Sequence, residues 1–187
     1  ARFAVNLFGA PPLTRAEFSQ YRADLENETT VGAGLVVQFP TGEYLEDKLL
    51  NIGTNRYIFR PQLGILHRHR KLSVDITFSS WLYTDNNEFI ISNKLEQDPL
   101  HVVQAHGVYS LAPGMWLGAG LGYGNGKETT LNGVPSNNRE EILGWEFSVG
   151  LPVTRRWSLK FKYVGLRMQR FIGSDTDNFL VSSTVLW

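Results

Sequence analysis

The segment WSLKFKYVGL, residues 157–166, alternates large apolar residues with polar ones. In a β-strand, successive side chains point to opposite faces, so this alternation predicts a strand with one apolar and one polar face. In a soluble protein the lysines would face water and the aromatic rings a core. In an outer-membrane barrel the rings face lipid and the lysines face a wet lumen. The remaining sequence favours one of these two environments.

The composition excludes several classes of function. Lys+Arg and Asp+Glu are both 18 in a chain of 187 residues, which argues against a nucleic-acid-binding surface. Cysteine is absent, so disulfides and thiolate metal sites are impossible. The uncharged stretch 107–126 has the length of a membrane helix, but Pro113-Gly114 interrupts it and glycines recur there at period two, which favours a strand.

Alternation with period two predicts nine strands. They cover residues 2–8, 30–39, 57–68, 72–83, 100–111, 116–131, 141–153, 157–169 and 177–187. Most of them have about ten residues, the length that a tilted strand needs to cross a bilayer. Strands of globular proteins are shorter, at about five or six residues. Strand length therefore favours the membrane.

Short and long connections alternate along the chain. The tight turns HRHRK, LAPGM and VTRRW are separated by longer polar segments, as in barrels with short periplasmic turns and long extracellular loops. One long connection falls on the short-turn side. There Thr14 and Glu17 match a capping box, and Phe18, Tyr21 and Leu25 follow at helical spacing. We predict a short amphipathic periplasmic helix over 13–26.

The last predicted strand ends in an aromatic residue. Its apolar face, interrupted by Ser183, consists of Phe179, Val181, Val185 and Trp187. This ending resembles the signal that the barrel-assembly machinery recognises. A strand that happens to end in Trp is the alternative, but strand length and the alternation of connections favour the signal. Counting back from a periplasmic end, nine strands place the first strand's start outside the cell. We therefore expect a single barrel domain over 1–187 that lacks N-terminal strands.

The alternation also assigns the residues that would line the lumen. They are Arg60, Gln62, Asp75, Thr77, Gln104, His106, Glu146, Lys160 and Lys162. In a soluble barrel the opposite, apolar face would have to fill the interior, and the large residues of nine long strands would overfill it. We therefore predict an all-β fold, an antiparallel transmembrane β-barrel in the bacterial outer membrane with one short helix.

Three segments resemble one bacterial family. They are FRPQLGILHRHRKLSVDITFSSWLYTDNNEF, LEQDPLHVVQAHGVYSLAPGMWLGAGLGYGNG and NGVPSNNREEILGWEFSVGLPVTRRWSLKFKY. They are similar to the outer-membrane transporter family of the phenol meta-degradation pathway, most specifically in WLYTDNNEF and LEQDPL. The resemblance implies a barrel of roughly a dozen strands, with an N-terminal portion before Ala1, and uptake of aromatic or hydrophobic compounds. It carries no catalytic motif.

The predicted lumen charges have two interpretations. In an open pore they set selectivity, and their mixed signs predict weak ion selectivity. In a closed barrel they form a salt-bridge lattice that fills the interior. His106 beside Gln104 is either a ligand contact, a pH-sensitive gate or, more commonly, a histidine bonded to a neighbour.

Metal sites and catalysis find little support in the sequence. His67 and His69 share a face, but the neighbouring Arg68, Arg70 and Lys71 would repel a metal ion. The acidic loop positions Asp85, Glu88, Asp175 and Asp177 do not match a calcium loop. Ser73, Asp75 and His69 form an imaginable hydrolase triad, but no Gly-x-Ser-x-Gly occurs. We predict no enzyme activity, cofactor or metal.

These observations together predict an outer-membrane channel for passive uptake of small molecules. Its expected partners are outer-membrane lipids and lipopolysaccharide, the barrel-assembly machinery and a small-molecule substrate, with no nucleic acid. The alternatives are a closed structural or ligand-binding barrel, an outer-membrane lipid hydrolase, and a soluble lipocalin-like binder.

Overall fold

The computed structural model describes residues 1–9, 11, 13–14, 16–17, 21, 26–170 and 173–186. These residues form β-strands numbered here in chain order. They are β1 (Arg2–Phe8), β2 (Asn27–Gln38), β3 (Ile58–His69), β4 (Leu72–Tyr83), β5 (Asn86–Phe89), β6 (Asn93–Gln97), β7 (Leu100–Ala112), β8 (Met115–Gly126), β9 (Thr129–Leu131), β10 (Val134–Pro135), β11 (Glu140–Pro152), β12 (Trp157–Met168) and β13 (Thr176–Val185).

Nine of the strands form one large sheet in the order β1-β2-β3-β4-β7-β8-β11-β12-β13. Every neighbouring pair is antiparallel, which confirms the predicted all-β, antiparallel fold and its nine long strands. A strand of 12 residues such as β4 extends about 40 Å at about 3.3 Å per residue. When tilted, it crosses the hydrocarbon layer of a membrane. Within the described residues no pairing joins β1 to β13, so this sheet is not closed.

The short strands form a second sheet in the order β10-β9-β6-β5. It lies in the two longer connections that follow β4 and β8. Alternation predicts a loop for the first connection but extends the strand 116–131 through β9 in the second. The predicted strand 116–131 is therefore too long, since β8 ends at Gly126 and β9 pairs in the other sheet. Gly126 has φ +134° and Lys127 has φ 64°, so the chain turns out of the large sheet at this point.

The apolar side chains of the large sheet lie on its surface. Among the described residues no apolar side chain is buried, and Leu121 and Phe147 are 65% and 57% exposed. A soluble domain of this size would bury most of its large apolar residues in a core. An exposed apolar face is instead typical of a β-structure whose outer surface contacts lipid. No helix among the described residues has the length and apolar character to cross a membrane.

The connection between β1 and β2 contains the predicted capping box. The backbone N–H and the hydroxyl of Thr14 donate to Oε2 of Glu17 at 2.8 and 2.7 Å, and the Glu17 N–H lies 3.4 Å from the Thr14 hydroxyl oxygen. These bonds lower the pKa of Glu17. Ala16, Glu17 and Tyr21 have helical backbone. Phe18 and Leu25, which would complete the apolar face of the helix predicted over 13–26, lie outside the described residues.

Candidate functional site

The register of the large sheet brings the predicted lumen residues to one face. Asp75 pairs directly with His106, and Thr77 with Gln104. Residues that pair directly share a face, and so do residues two positions apart on one strand. We call this surface the lumen face, defined by Arg60, Gln62, Asp75, Thr77, Gln104, His106, Glu146, Lys160 and Lys162.

The opposite surface of the large sheet is apolar. We call it the lipid face, defined by Leu72, Val74, Ile76, Phe78, Leu82, Leu117, Ala119, Leu121, Tyr123, Leu143, Trp145, Phe147, Val149, Leu151, Phe161, Phe179, Val181 and Val185. Ser183 interrupts its last strand, and the Trp157 indole N–H donates to the Ser183 hydroxyl at 2.8 Å. Trp187, the last residue of the predicted assembly signal, lies outside the described residues.

A row of charged side chains crosses the lumen face. The His106 Nδ1 atom lies 3.0 Å from Oδ2 of Asp75, and its Nε2 lies 3.9 Å from Oε2 of Glu146. Glu146 also forms an ion pair with Lys162. The four residues come from β4, β7, β11 and β12, and we call them the charged row. Because a carboxylate can only accept, the hydrogen bond to Asp75 requires the proton on Nδ1 of His106.

The charged row crosses β8 at a position that carries no side chain. Gly120 of β8 pairs with His106 on one side and with Glu146 on the other. A Cβ atom at Gly120 would lie 2.4 Å from Cδ2 of His106 and 2.9 Å from Cγ of Glu146. The absence of a side chain at this position therefore allows His106 and Glu146 to approach each other across β8.

A trough extends along the same glycines. Its volume is about 220 Å³, and its lining includes Val102, Gln104, His106, Ile142, Glu146 and Val164. The floor is the backbone of β8 at Gly120, Gly122 and Gly124. The trough thus joins apolar walls to hydrogen-bonding groups, a combination that suits a small ligand with an apolar body.

Other lumen-face cations have aromatic or acidic neighbours. Arg60 lies over the ring of Trp81, 5.0 Å from its centroid, and Lys160 lies 5.6 Å from the centroid of Trp116. Arg68, nearer the tight turn, forms an ion pair with Glu28 at 3.1 Å. These rings and the glycine trough are absent from the sequence-based site prediction. The available signal is the period-two spacing of the glycines of β8, which by itself indicates only a strand.

The imagined hydrolase triad does not assemble. His69 pairs with Leu72 and therefore lies on the lipid-face side of β3, where it hydrogen-bonds with Asn27. Ser73 lies on the lumen-face side, and its hydroxyl accepts from Nε of Arg68 at 3.2 Å. His67 bonds to Thr29 at 2.9 Å. Within the described ranges, no group of three His, Cys, Asp or Glu residues is arranged to hold a metal ion.

Comparison with known proteins gives a related structure. No curated protein matches the chain. Among solved structures, the chain is similar to an outer membrane channel from Pseudomonas putida F1, with 26% sequence identity and a TM-score of 0.70. The match covers 93% of this chain and 62% of that channel, so the chain spans less than two thirds of its relative's length.

The comparison agrees with the exposed apolar face described above. The related structure is described as a channel rather than an enzyme. Its similarity and the exposed lipid face place this protein in the bacterial outer membrane. The family model described as "Putative MetA-pathway of phenol degradation" matches residues 6–187, which confirms the resemblance seen in the sequence, and the chain belongs to this family.

Proposed function

We propose that the protein is an outer-membrane channel that admits small molecules by passive diffusion, aromatic or hydrophobic compounds among them. The observation that carries this proposal is the division of the large sheet into an apolar lipid face and a polar lumen face with a glycine-floored trough. A barrel that spanned the membrane without admitting solutes would need no such trough. The similarity to an outer membrane channel supports the same function.

The trough suits a planar, weakly polar solute. The side chains of Val102, Ile142 and Val164 offer apolar contact, and the bare backbone at Gly122 leaves room for a flat ring. Gln104 and His106 supply hydrogen-bonding groups beside it. A compound with a ring and one hydroxyl group would satisfy both parts of the site. The phenol-degradation description of the family supports this class of substrate.

Solutes would pass through the lumen without an energy source and with little selection by charge. The lumen face carries Asp75 and Glu146 against the cations Arg60, Lys160 and Lys162, so charges of opposite sign partly cancel for a distant ion. Neutral solutes would pass the row without a large electrostatic barrier. We therefore expect weak ion selectivity and preferential passage of uncharged molecules.

Planar-bilayer recording tests the channel function. Purified full-length protein, shown to be folded by heat-modifiable migration in gels, should produce discrete conductance steps. Heat-denatured protein is the matched control. If folded protein reconstituted in bilayers gives no conductance steps, the channel function is wrong.

A closed ligand-binding or structural barrel is the second candidate. The continuous contact from Asp75 through His106 and Glu146 to Lys162 favours it, since such a chain of polar contacts can fill a lumen. Electrical silence of the folded protein in the bilayer experiment would support this candidate and contradict the channel.

The proposed partners act on the outside of the sheet. Outer-membrane lipids and lipopolysaccharide would contact the lipid face, where Arg167 lies 5.0 Å from the Trp145 ring centroid.

The barrel-assembly machinery would bind the last strand through Phe179, Val181 and Val185, which are exposed. Replacing Phe179 with Ser should reduce the yield of folded protein in the membrane. The same change at the lumen-face position Leu180 is the control.

We also propose that the protein has no hydrolase activity. The separation of His69 and Ser73 on opposite faces supports this. Incubation with phospholipid or lipopolysaccharide should release no fatty acid. Release that disappears in Ser73→Ala would contradict the proposal.

A further inference from the structure

Two arginines stack on neighbouring aromatic rings where the lumen face meets the longer connections. Arg56 precedes β3, and its guanidinium carbon lies 4.9 Å from the centroid of the Tyr83 ring. Arg60, four positions later, lies 5.0 Å from the Trp81 centroid. Trp81 and Tyr83 are two residues apart on β4 and share a face. The two stacked pairs are therefore neighbours, and we call Arg56 and Arg60 the arginine pair.

The arginine pair has buried donors without acceptors. Nε and Nη1 of Arg56 and Nε of Arg60 are buried, and none of them has a hydrogen-bond partner among the described residues. Nη2 of Arg56 donates to the neutral side-chain oxygen of Gln97. A buried donor that lacks a partner is costly, and more so on a charged group.

The arginine pair also lacks a counter-charge. In the part of the chain that the structure describes, no carboxylate forms an ion pair with Arg56 or Arg60. Arg68 on the same strand shows the contrast, because it is paired with Glu28 at 3.1 Å. Burial lowers the pKa of Arg56, against a smaller opposite effect of Tyr83. Two cations on neighbouring rings, with buried N–H groups that lack partners, attract an anion.

We propose that the arginine pair binds the carboxylate of a small molecule with an apolar body as it enters the lumen. Each guanidinium lies over a ring, and the donors without partners, Nε and Nη1 of Arg56 and Nε of Arg60, would gain acceptors if the side chains shift to meet a carboxylate. Ile58, which alternation places on the same face, and the rings of Trp81 and Tyr83 provide apolar surface beside the charges. A carboxylate with an apolar body uses both features, whereas inorganic phosphate uses only the charge.

The site deepens the proposed function and rests on it, since a solute reaches the arginine pair by entering the lumen. The pair lies at the ends of β3 and β4 that face the longer connections, away from the tight turn at Arg70 and Lys71. A solute arriving from the side of these connections meets the arginine pair before the charged row. The arginine pair would therefore bind carboxylates at the entrance of a lumen that otherwise discriminates only weakly between ions.

Calorimetric titration of the folded, full-length protein in detergent tests this site with three probes. Benzoate carries a carboxylate and a ring, benzyl alcohol carries the ring alone, and inorganic phosphate carries the charge alone. We expect benzoate to bind about tenfold or more tightly than either other probe, because charge-assisted hydrogen bonds to two arginines add to apolar contact. Arg56→Gln and Arg60→Gln should each weaken benzoate binding about tenfold or more.

The matched control is Arg155→Gln, in the exposed turn between β11 and β12, which should bind benzoate like the wild type. If Arg60→Gln does not fold, Arg60→Lys keeps the charge and removes the fork, and it should bind benzoate more weakly than wild type. Equal affinity for benzoate and benzyl alcohol, or unchanged affinity in both glutamine variants, would overturn the proposal. Phosphate binding as tight as benzoate binding would overturn the assignment to a carboxylate with an apolar body.

Calorimetry and bilayer recording separate this site from the channel function. Benzoate binding by a folded protein that is silent in bilayers would support the site and contradict the channel. Conductance steps from a protein that does not bind benzoate would support the channel and contradict the site.

Discussion

His106 and Asp75 are direct cross-strand neighbours on the lumen face, with Nδ1 and Oδ2 3.0 Å apart. Alternation alone assigns both residues to one face, but the contact depends on the register of β4 against β7. The charged row extends from this pair to Glu146 and Lys162. The effects of substitutions in the row follow from the sign of the charge removed.

Asp75→Asn and Lys162→Gln should change ion selectivity in opposite directions. Asp75→Asn removes a negative charge from the lumen face and should make the channel more selective for anions. Lys162→Gln removes a positive charge and should make it more selective for cations. The measurement is the reversal potential under a salt gradient. Glu26→Gln, at an exposed carboxylate outside the lumen face, is the control and should leave the reversal potential unchanged. Shifts of the same sign in both lumen variants would contradict this account.

Gly120→Leu should narrow the lumen. Because even a Cβ atom at Gly120 would lie 2.4 Å from the His106 ring, the new side chain must displace His106 or fill the trough. We expect lower single-channel conductance and an overpacking cost of about 1–3 kcal/mol in the free energy of unfolding.

Gly107→Leu is the matched control for Gly120→Leu. Gly107 pairs with Val74 and Ala119 of the lipid face, and a Cβ atom there meets nothing within 4 Å. Its conductance should equal that of the wild type. Equal conductance in Gly120→Leu and Gly107→Leu would show that the glycine-floored trough is not part of the conducting path.

Ser183→Ala should destabilise the protein although Ser183 lies on the lipid face. The Ser183 hydroxyl accepts the indole N–H of Trp157 at 2.8 Å, and hydrocarbon offers no replacement acceptor. The loss should cost about 1–3 kcal/mol in the free energy of unfolding. Urea unfolding from liposomes measures it. Ser182→Ala on the lumen side, where water can replace a lost contact, should have a smaller effect.

Alkaline pH should loosen the second sheet through Lys94. Hydrogen bonds to Asp85 and Glu96 raise the pKa of Lys94 above the usual value of 10.5. Because the folded-state pKa is raised, the stabilisation is fully present below 10.5 and is lost as the pH rises through the higher folded-state value. The mobility of a spin label at Ile91 should increase over this range. In Lys94→Met the label should already be mobile below this pH range, and its mobility should not increase further within it. An identical increase in Lys94→Met would contradict the role of Lys94.

Sequence reasoning succeeded where a single periodicity determined the structure. The bounds of β4 were predicted to the residue, and the lumen face and lipid face followed from the same alternation. It failed at Gly126, where alternation continues through the segment but positive φ values turn the chain into another sheet. It also missed β5, β6 and β10 and joined β9 to β8, because strands of two to five residues give too short a pattern.

The contacts of the candidate site depend on register, which the sequence pattern leaves open. The approach of His106 to Glu146 needs Gly120 directly between them, and the position of Arg60 over Trp81 needs the pairing of β3 with β4. Arg56 was missed for a different reason. It lies before the first residue of its strand, where alternation assigns no face.

The central claim is the orientation of the sheet, with aromatic rings in hydrocarbon and lysines in the lumen. Spin labels at the adjacent positions Phe161 and Lys160, in protein reconstituted into liposomes, test it directly. This account predicts that the label at Phe161 collides mainly with lipid-dissolved oxygen and the label at Lys160 mainly with a water-soluble nickel complex. The reverse pattern, with Phe161 shielded from oxygen and Lys160 open to it, would contradict the account.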